Sequence, residues 1–396
     1  MDDLLLLVHR IPYPPNKGDK IRSYRLLRHL AARYRVHLGA FVDDPDDWRH
    51  AEALRAWCAD VHLLPLDTRK ARLRSLRGLL AGEALSLPYY RDRGMRNWVR
   101  SVLDRGVRKS VVFSSAMAQY VLDVPGITRV TDFVDVDSDK WLQYATAKRW
   151  PMNWVYRREA ARLLAFDRRV AAASRVALFV TAAEAELFRR LAPDSAGRVA
   201  HYDNGVDAVY FDAAHGGSDP YPAGSLPLVF TGAMDYWANV DAVAWFARDV
   251  LPLIRAKVPT AVFWIVGSRP TAEVRALGDL PGVHVTGGVP DIRPYLAHAR
   301  SAVASLRIAR GVQNKVLEAM AMARPVLATP AAMDGIVPDR RFDALVSDVP
   351  AELAARAVTV LRDGDRDGLG ALGRAHVLAH YDWTRNLSAL DAYLED

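Results

Sequence analysis

Along the chain, short apolar runs rich in Val, Leu, Ile and Phe alternate with longer stretches in which apolar residues recur every three or four positions. The first pattern predicts buried strands and the second predicts helices, and their regular alternation predicts an α/β fold with parallel sheets. The first set of predicted strands is Leu4–Val8, Val36–Ala40, Val61–Leu64, Ser110–Phe113, Arg129–Phe133 and Val176–Val180, with Val199–Tyr202 closing the first half. A stretch dense in breakers follows, Asn204-Gly205-Val206-Asp207 and then Gly216, Gly217, Pro220, Pro222 and Gly224, which reads as a linker. A second set starts afresh with Leu228–Thr231, Ala261–Val266, Val283–Thr286, Ala302–Ser305, Val326–Ala328 and Ala344–Ser347. Between the first two of these, Val240, Val243, Ala247, Val250 and Ile254 share one helical face, with Asn239 as the expected N-cap. The chain ends in helical patterns over 350–362, 368–380 and from Trp383 to Glu395. Two doubly wound, Rossmann-like domains facing across a cleft are the expected architecture, with ligands at the carboxyl ends of the strands.

The stretch from Ser305 to Ala328 is the most informative. It reads as a strand end, a basic glycine loop, a short helix opened by Gly311, and a strand. Val316, Leu317, Met320 and Ala323 form the apolar stripe, while Gly311, Lys315, Glu318 and Met322 fall on a different face. A cation and a carboxylate are thereby presented near a helix N-terminus, where free N–H groups and the dipole favour an anion. A nucleotide diphosphate, with phosphate at one end and ribose hydroxyls at the other, suits that layout. The competing explanation is a surface pair of Lys315 with Glu318. Its order along the helix is the less favourable one, and it leaves the Arg310-Gly311 loop without a purpose. Gly232 follows a strand directly, as in an ordinary turn or where backbone must approach a phosphate. The corresponding loop in the first half, His9 to Lys20, is stiffened by prolines and basic, and reads as a site loop.

Composition narrows the setting. The 396 residues suit two domains, and 51% hydrophobic content supplies two cores. A single cysteine, Cys58, fits a reducing compartment. The N-terminus has no secretory pattern, and no run reaches the ~18 apolar residues of a spanning helix, so a cytoplasmic location is expected. The net charge of +7 is concentrated in the first half. Basic residues from Arg69 to Lys109 far outnumber Glu83, Asp92 and Asp104, and a second group (Lys148, Arg149, Arg157, Arg158, Arg162) includes Trp150 and Trp154. Cations interleaved with Leu and Trp suit peripheral contact with an anionic membrane. A plainly solvated face suits them as well, and nucleic acid is the least expected partner.

The segments 9–24 (HRIPYPPNKGDKIRSY), 86–92 (SLPYYRD), 132–141 (DFVDVDSDKW), 204–207 (NGVD), 230–246, 283–296 and 309–329 together resemble the GT-B sugar transferases of glycosyltransferase family 4. The resemblance is greatest to the subgroup associated with exosortase (PEP-CTERM) exopolysaccharide systems. It implies an acceptor-side domain over 1–205, a nucleotide-sugar domain over 206–382, and a last helix, 383–396, that packs back on the first. It implies that Glu318 accepts hydrogen bonds from the ribose, and that Gly232, Arg310 and Lys315 hold the pyrophosphate beside Gly311 and Asn314. The 287–291 loop, with Gly288 and Val289, would line the base, and Gly18 would lie beneath the transferred sugar. Lys17, Lys20 and Tyr89 would stand on the acceptor side. The family pattern often has a glutamate where this chain has Arg310, and an arginine and a lysine near Met234 to Trp237. An arginine at 310 makes sense as a phosphate clamp, sharing the missing charge with Lys315.

The implied reaction is glycosyl transfer, with retention, from a nucleotide-diphosphate sugar to a lipid-linked or polysaccharide acceptor in exopolysaccharide or cell-envelope glycan synthesis. Lys315 and Arg310 would stabilise the departing pyrophosphate; Asp135 and Asp19 are the candidates for an assisting acid. No metal or other cofactor is expected. Asp135-Val136-Asp137 has the spacing of a transferase metal site, yet the phosphate signals lie in the other half, and a polar loop at the cleft rim is the preferred reading. A calcium loop is excluded, because Lys140 stands where glycine is needed. No P-loop, dinucleotide or zinc-protease motif is present. The competing functions are a sugar-nucleotide epimerase or hydrolase on the same scaffold, and a non-catalytic basic protein that holds membrane or nucleic acid.

Overall fold

The alternating pattern folds into two parallel sheets, one in each of two units: Met1–Asp203 with Thr384–Asp396, and Asn204–Trp383. The structure is a computed structural model describing residues 1–15, 18–146, 148–309 and 311–395. In the first unit, β1 (Asp3–Val8), β2 (Arg35–Val42), β3 (Asp60–Pro65), β4 (Lys109–Phe113), β5 (Thr128–Val134), β6 (Val176–Phe179) and β7 (Val199–His201) form one sheet in the order β3-β2-β1-β4-β5-β6-β7. All its pairings are parallel. Leu4 to Val8 are fully buried because the central strand is covered on both faces. The order reverses between β1 and β4, so the loops leaving those strands diverge and open a crevice at their carboxyl ends.

The second unit repeats the plan with β8 (Leu226–Thr231), β9 (Ala261–Val266), β10 (Val283–Gly287), β11 (Ser301–Ala304) and β12 (Val326–Ala328), in the order β10-β9-β8-β11-β12. Here the reversal lies between β8 and β11.

Several sequence expectations are corrected. The strand expected at Ala344–Ser347 does not form; Arg340–Leu345 is a 3-10 turn, and only an isolated bridge joins Val346 to Ala328. Arg340, Arg341 and Asp343, just before that run, are polar, and Asp339 caps the turn by accepting the Arg341 N–H, which draws the start of the run into the turn. The breaker-rich stretch after Asn204 is packed on the second unit. Tyr221 donates to the Tyr295 carbonyl at 2.5 Å, and a Cβ on Gly216 would sit 2.2 Å from that of Ala297. The terminal pattern splits into helices Trp383–Ser388 and Asp391–Leu394. In the first unit, Asp391 receives the ring N–H of His29 at 2.7 Å. Among the described residues no helix is long and apolar enough to cross a membrane.

A buried ionic network ties the first unit together. Arg22, on helix Gly18–Ala31, is 1% exposed and grips Asp132 of β5 through Nε at 2.8 Å and Nη2 at 3.3 Å. Tyr202, just past β7, donates its hydroxyl to the same carboxylate, and its ring lies 3.6 Å from the guanidinium. Asp132 Oδ1 also accepts the N–H of Val134, which has φ of 70°. A buried charge is tolerated only when paired and fully hydrogen-bonded. Asp132→Ala, which strands the arginine, is expected to destabilise the first unit by about 3–5 kcal/mol. Urea unfolding followed by circular dichroism checks this, and an unchanged midpoint would discard the network as a stabilising element.

Candidate functional site

The three neighbouring strands β8, β9 and β10 each run into glycine at their carboxyl ends: Gly232, Gly267 and Gly287. The Gly232 N–H donates to Val266 at 3.1 Å, and a Cβ on Gly267 would lie only 1.6 Å from the Gly232 carbonyl oxygen. The absence of a side chain at 267 therefore permits the turn after β8 to fold over β9. A Cβ on Gly232 itself would meet Asn239 Nδ2 at 2.8 Å and Lys315 Nζ at 3.2 Å. Gly232 thus leaves room for an ammonium group. The sequence reading singled out Gly232 but passed over Gly267, whose signal was the same strand-into-glycine pattern.

Lys315 stands in the first turn of helix Asn314–Ala321. The helix begins three residues after Gly311, and its preceding residue, Gln313, makes no side-chain cap. Gly311 has φ of 66°, and its backbone is approached so closely by Gly335 that a Cβ there would lie 2.4 Å from the Gly311 carbonyl carbon. Lys315 Nζ donates to Asn239 Oδ1 at 2.6 Å and lies 3.9 Å from the centre of the Phe230 ring. Asn239 donates in turn to the Ala233 carbonyl at 2.8 Å. Asn239 is therefore no N-cap: helix Trp237–Trp245 starts two residues earlier, and the buried amide orients the lysine. Asn314 lies beside it, its Oδ1 buried without a hydrogen-bond partner. Val316, Leu317 and Met320 enter the core as expected. Met322 is also fully buried, because the helix ends at Ala321 and Ala323 turns with φ of 52°.

Burial pushes the Lys315 ammonium down to about 7, against the opposing pull of Glu318. Burial likewise pushes the Glu318 carboxyl up, to about 7, with Lys315 working the other way. The surroundings thus disfavour the charged form of each group, and only the other's opposite charge offsets this. Val289 packs partly buried against the same core, and Gly288 follows β10 with Ser268 across from it. Arg310 lies outside the described residues, as does Lys17.

In the first unit, Gly18 is exposed at the start of its helix, and Tyr89 is half-buried with its ring 4.8 Å from that of Tyr90. Lys20 is not available to an acceptor: it is 1% exposed and paired with Asp47 at 2.9 Å, because its place on the helix turns it inward. Asp19 pairs with Arg10 at 2.6 Å and His9 at 3.4 Å. Burial would raise its carboxyl, but the His9 hydrogen bond and the Arg10 charge hold it well below the usual carboxylate range. A group so held stays ionised at neutral pH and donates no proton. Asp135 and Asp137 both pair with Lys140, at 2.6 and 3.1 Å. Their charge is thus met by the very lysine that spoiled the calcium pattern. His9, Arg10, Asp43 and Lys140 shape this edge without having been named as site residues, although the first two belonged to the loop the sequence flagged. Among the described residues no three His, Cys, Asp or Glu side chains come together as a metal site.

Residues 226–363 match the family described as Glycosyl transferases group 1. No curated protein matches the chain by sequence. Among solved structures, HepE (Alr3699) of Anabaena in complex with UDP aligns with a TM-score of 0.65 at 14% identity, covering 100% of this chain and 99% of that one. WaaG, a glycosyltransferase involved in lipopolysaccharide biosynthesis, aligns at 0.64 and 16% identity over 99% and 100% of the two chains. TarM aligns at 0.66 and 9% identity over 100% and 99%. At these identities the likeness is one of fold, and the fold is that of the GT-B glycosyltransferases.

Asn239→Ala removes the acceptor from the half-buried Lys315 ammonium, and hydrogen bonds to charged groups are worth about 1.5–3 kcal/mol. A loss of that size in chemical denaturation is expected; a loss below about 0.5 kcal/mol would mean that Asn239 does not hold Lys315.

Proposed function

We propose that the chain transfers a sugar, with retention of configuration, from a nucleotide diphosphate to a lipid-linked or polysaccharide acceptor in exopolysaccharide or cell-envelope glycan synthesis. The observation that carries the reading is the convergence of Gly232, Asn239, Lys315 and the start of helix Asn314–Ala321 at the carboxyl edge of the second sheet. The match of residues 226–363 to group 1 glycosyl transferases supports it. HepE structures hold UDP-glucose as well as UDP, which makes UDP-glucose the first donor to try.

In this reading the diphosphate sits over the Gly232 turn and the helix N-terminus, which favour an anion through backbone N–H groups and the helix dipole. Lys315, joined by Arg310, neutralises the charge that grows on the pyrophosphate as the glycosidic bond breaks. Preorganised donors at a leaving group are worth about 10²–10³ in turnover each. Glu318, a turn further along, accepts from the ribose hydroxyls. Gly288 and Val289 flank the base. The protein cations supply the charge that a metal would otherwise bring, so added chelator is expected to leave turnover unchanged. Of the two candidate acids, Asp19 is assigned an electrostatic role only, and Asp135 acts through its pair with Lys140. Sugar release in the absence of acceptor, at a rate matching turnover, would favour the hydrolase alternative.

Lys315→Ala is expected to lower kcat by about 10²–10³ with little change in acceptor KM, and Glu318→Ala to weaken UDP binding by about 1.5–3 kcal/mol in calorimetry. Near-normal values in both variants would remove the site. Binding should also depend on pH. The diphosphate needs Lys315 protonated, which fails as pH rises through about 7. The ribose needs Glu318 ionised, which fails as pH falls through about 7. UDP affinity is therefore expected to peak near neutrality, and Lys315→Arg, which stays charged, should abolish the alkaline fall. An alkaline fall that persists in the arginine variant would contradict the assignment.

A further inference from the structure

In the first unit, helices Thr68–Ser75 and Arg77–Ala81 follow one another with only Leu76 between them. Their inward residues are small: Ala71, Ser75 and Gly78 are buried. Apart from half-buried Leu79, their large apolar residues point the other way. Leu73, Leu76 and Leu80, spaced three and four apart on one face, are 72%, 50% and 94% exposed. The orientation is fixed by Arg74, which donates to the carbonyls of Pro88 and Tyr89 at 2.7 and 2.6 Å.

A second exposed apolar group belongs to the same unit. Trp150 and Trp154, at the start of helix Met152–Ala173, are 81% and 56% exposed. One turn beyond Trp154, Arg158 donates to the carbonyls of Gly78 and Glu83 at 2.7 and 3.1 Å. Glu159 accepts the N–H groups of Leu85 and Ser86 at 2.6 and 3.2 Å. Those bonds tie this part of the helix to the turn that carries the leucines. Exposed cations accompany both groups in sequence: Arg69, Arg72 and Arg77 among the leucines, and Lys148, Arg149 and Arg157 among the tryptophans.

We infer that this surface docks on an anionic lipid bilayer, with the leucines and tryptophans entering the headgroup region and the cations meeting lipid phosphates. The leucines turned to water argue for an apolar medium, which a purely electrostatic partner such as nucleic acid does not offer. Tryptophan at the border of such a patch suits the membrane interface, and the basic rim complements acidic headgroups. The inference does not depend on the donor site, which lies in the other unit.

The test is sedimentation of the full chain with phosphatidylcholine vesicles, with and without about 30% phosphatidylglycerol. Strong binding is expected only with the anionic lipid, weakening as salt is raised. The double variant Leu80→Glu, Trp150→Glu should lose about tenfold or more in partitioning while keeping its melting temperature and UDP binding. Arg72→Glu with Arg77→Glu should lose binding without moving the tryptophan emission of the free protein. Equal binding to neutral vesicles, or full binding by the Leu80/Trp150 variant, would overturn the proposal. So would tighter binding to duplex DNA than to anionic vesicles.

Discussion

A carbonyl and an ammonium set the geometry of the second unit's strand ends. The Gly232 carbonyl rests where a side chain at residue 267 would be, and the Lys315 ammonium lies where one at 232 would crowd it. Only with both positions bare can Asn239 reach across to the lysine at 2.6 Å while bonding back to Ala233. That amide is neutral, so it steadies the ammonium without cancelling its charge. Desolvating an ammonium is costly, and the lowered affinity of Lys315 for its proton, only partly offset by Glu318, expresses that cost. Placed beside a helix start with no side-chain cap, it makes that corner strongly receptive to an anion.

The first unit handles charge in the opposite way. Its polar strand ends are neutralised from within: Asp19 by Arg10 and His9, Asp135 and Asp137 by Lys140, Lys20 by Asp47, and Asp132 by Arg22. Such pairs fix side chains in place and leave little unmet charge. An edge of this kind suits an uncharged, hydroxyl-rich ligand better than a phosphate. The same unit carries its unmatched charge on the outer surface, around leucines that face water.

Those leucines follow from packing. Helix Thr68–Ser75 and its continuation lie so close to the segment after Glu83 that a Cβ on Gly78 would already be 3.2 Å from the Glu83 carbonyl oxygen. Small residues take the closest places on that side, and Leu73, Leu76 and Leu80 are turned outward. An amphipathic pattern gives the period of a helix but not which face is turned inward.

Much was legible in the sequence alone. The strands of both sheets, the restart of the pattern after residue 204, and the glycine loop and helix around Lys315 could all be read from periodicity and breakers, because burial on both faces of a parallel sheet imposes long apolar runs. Contacts between residues distant in sequence were not legible. Asn239 looked like a helix cap and is a lysine partner 76 positions away. Lys20 looked like a free basic side chain and is buried against Asp47. Gly267 drew no notice, and Ala344–Ser347 looked like a strand. Local pattern depends on what each segment buries, whereas the partner of a buried charge depends on which strands lie side by side, and strand order is set only when the whole sheet assembles.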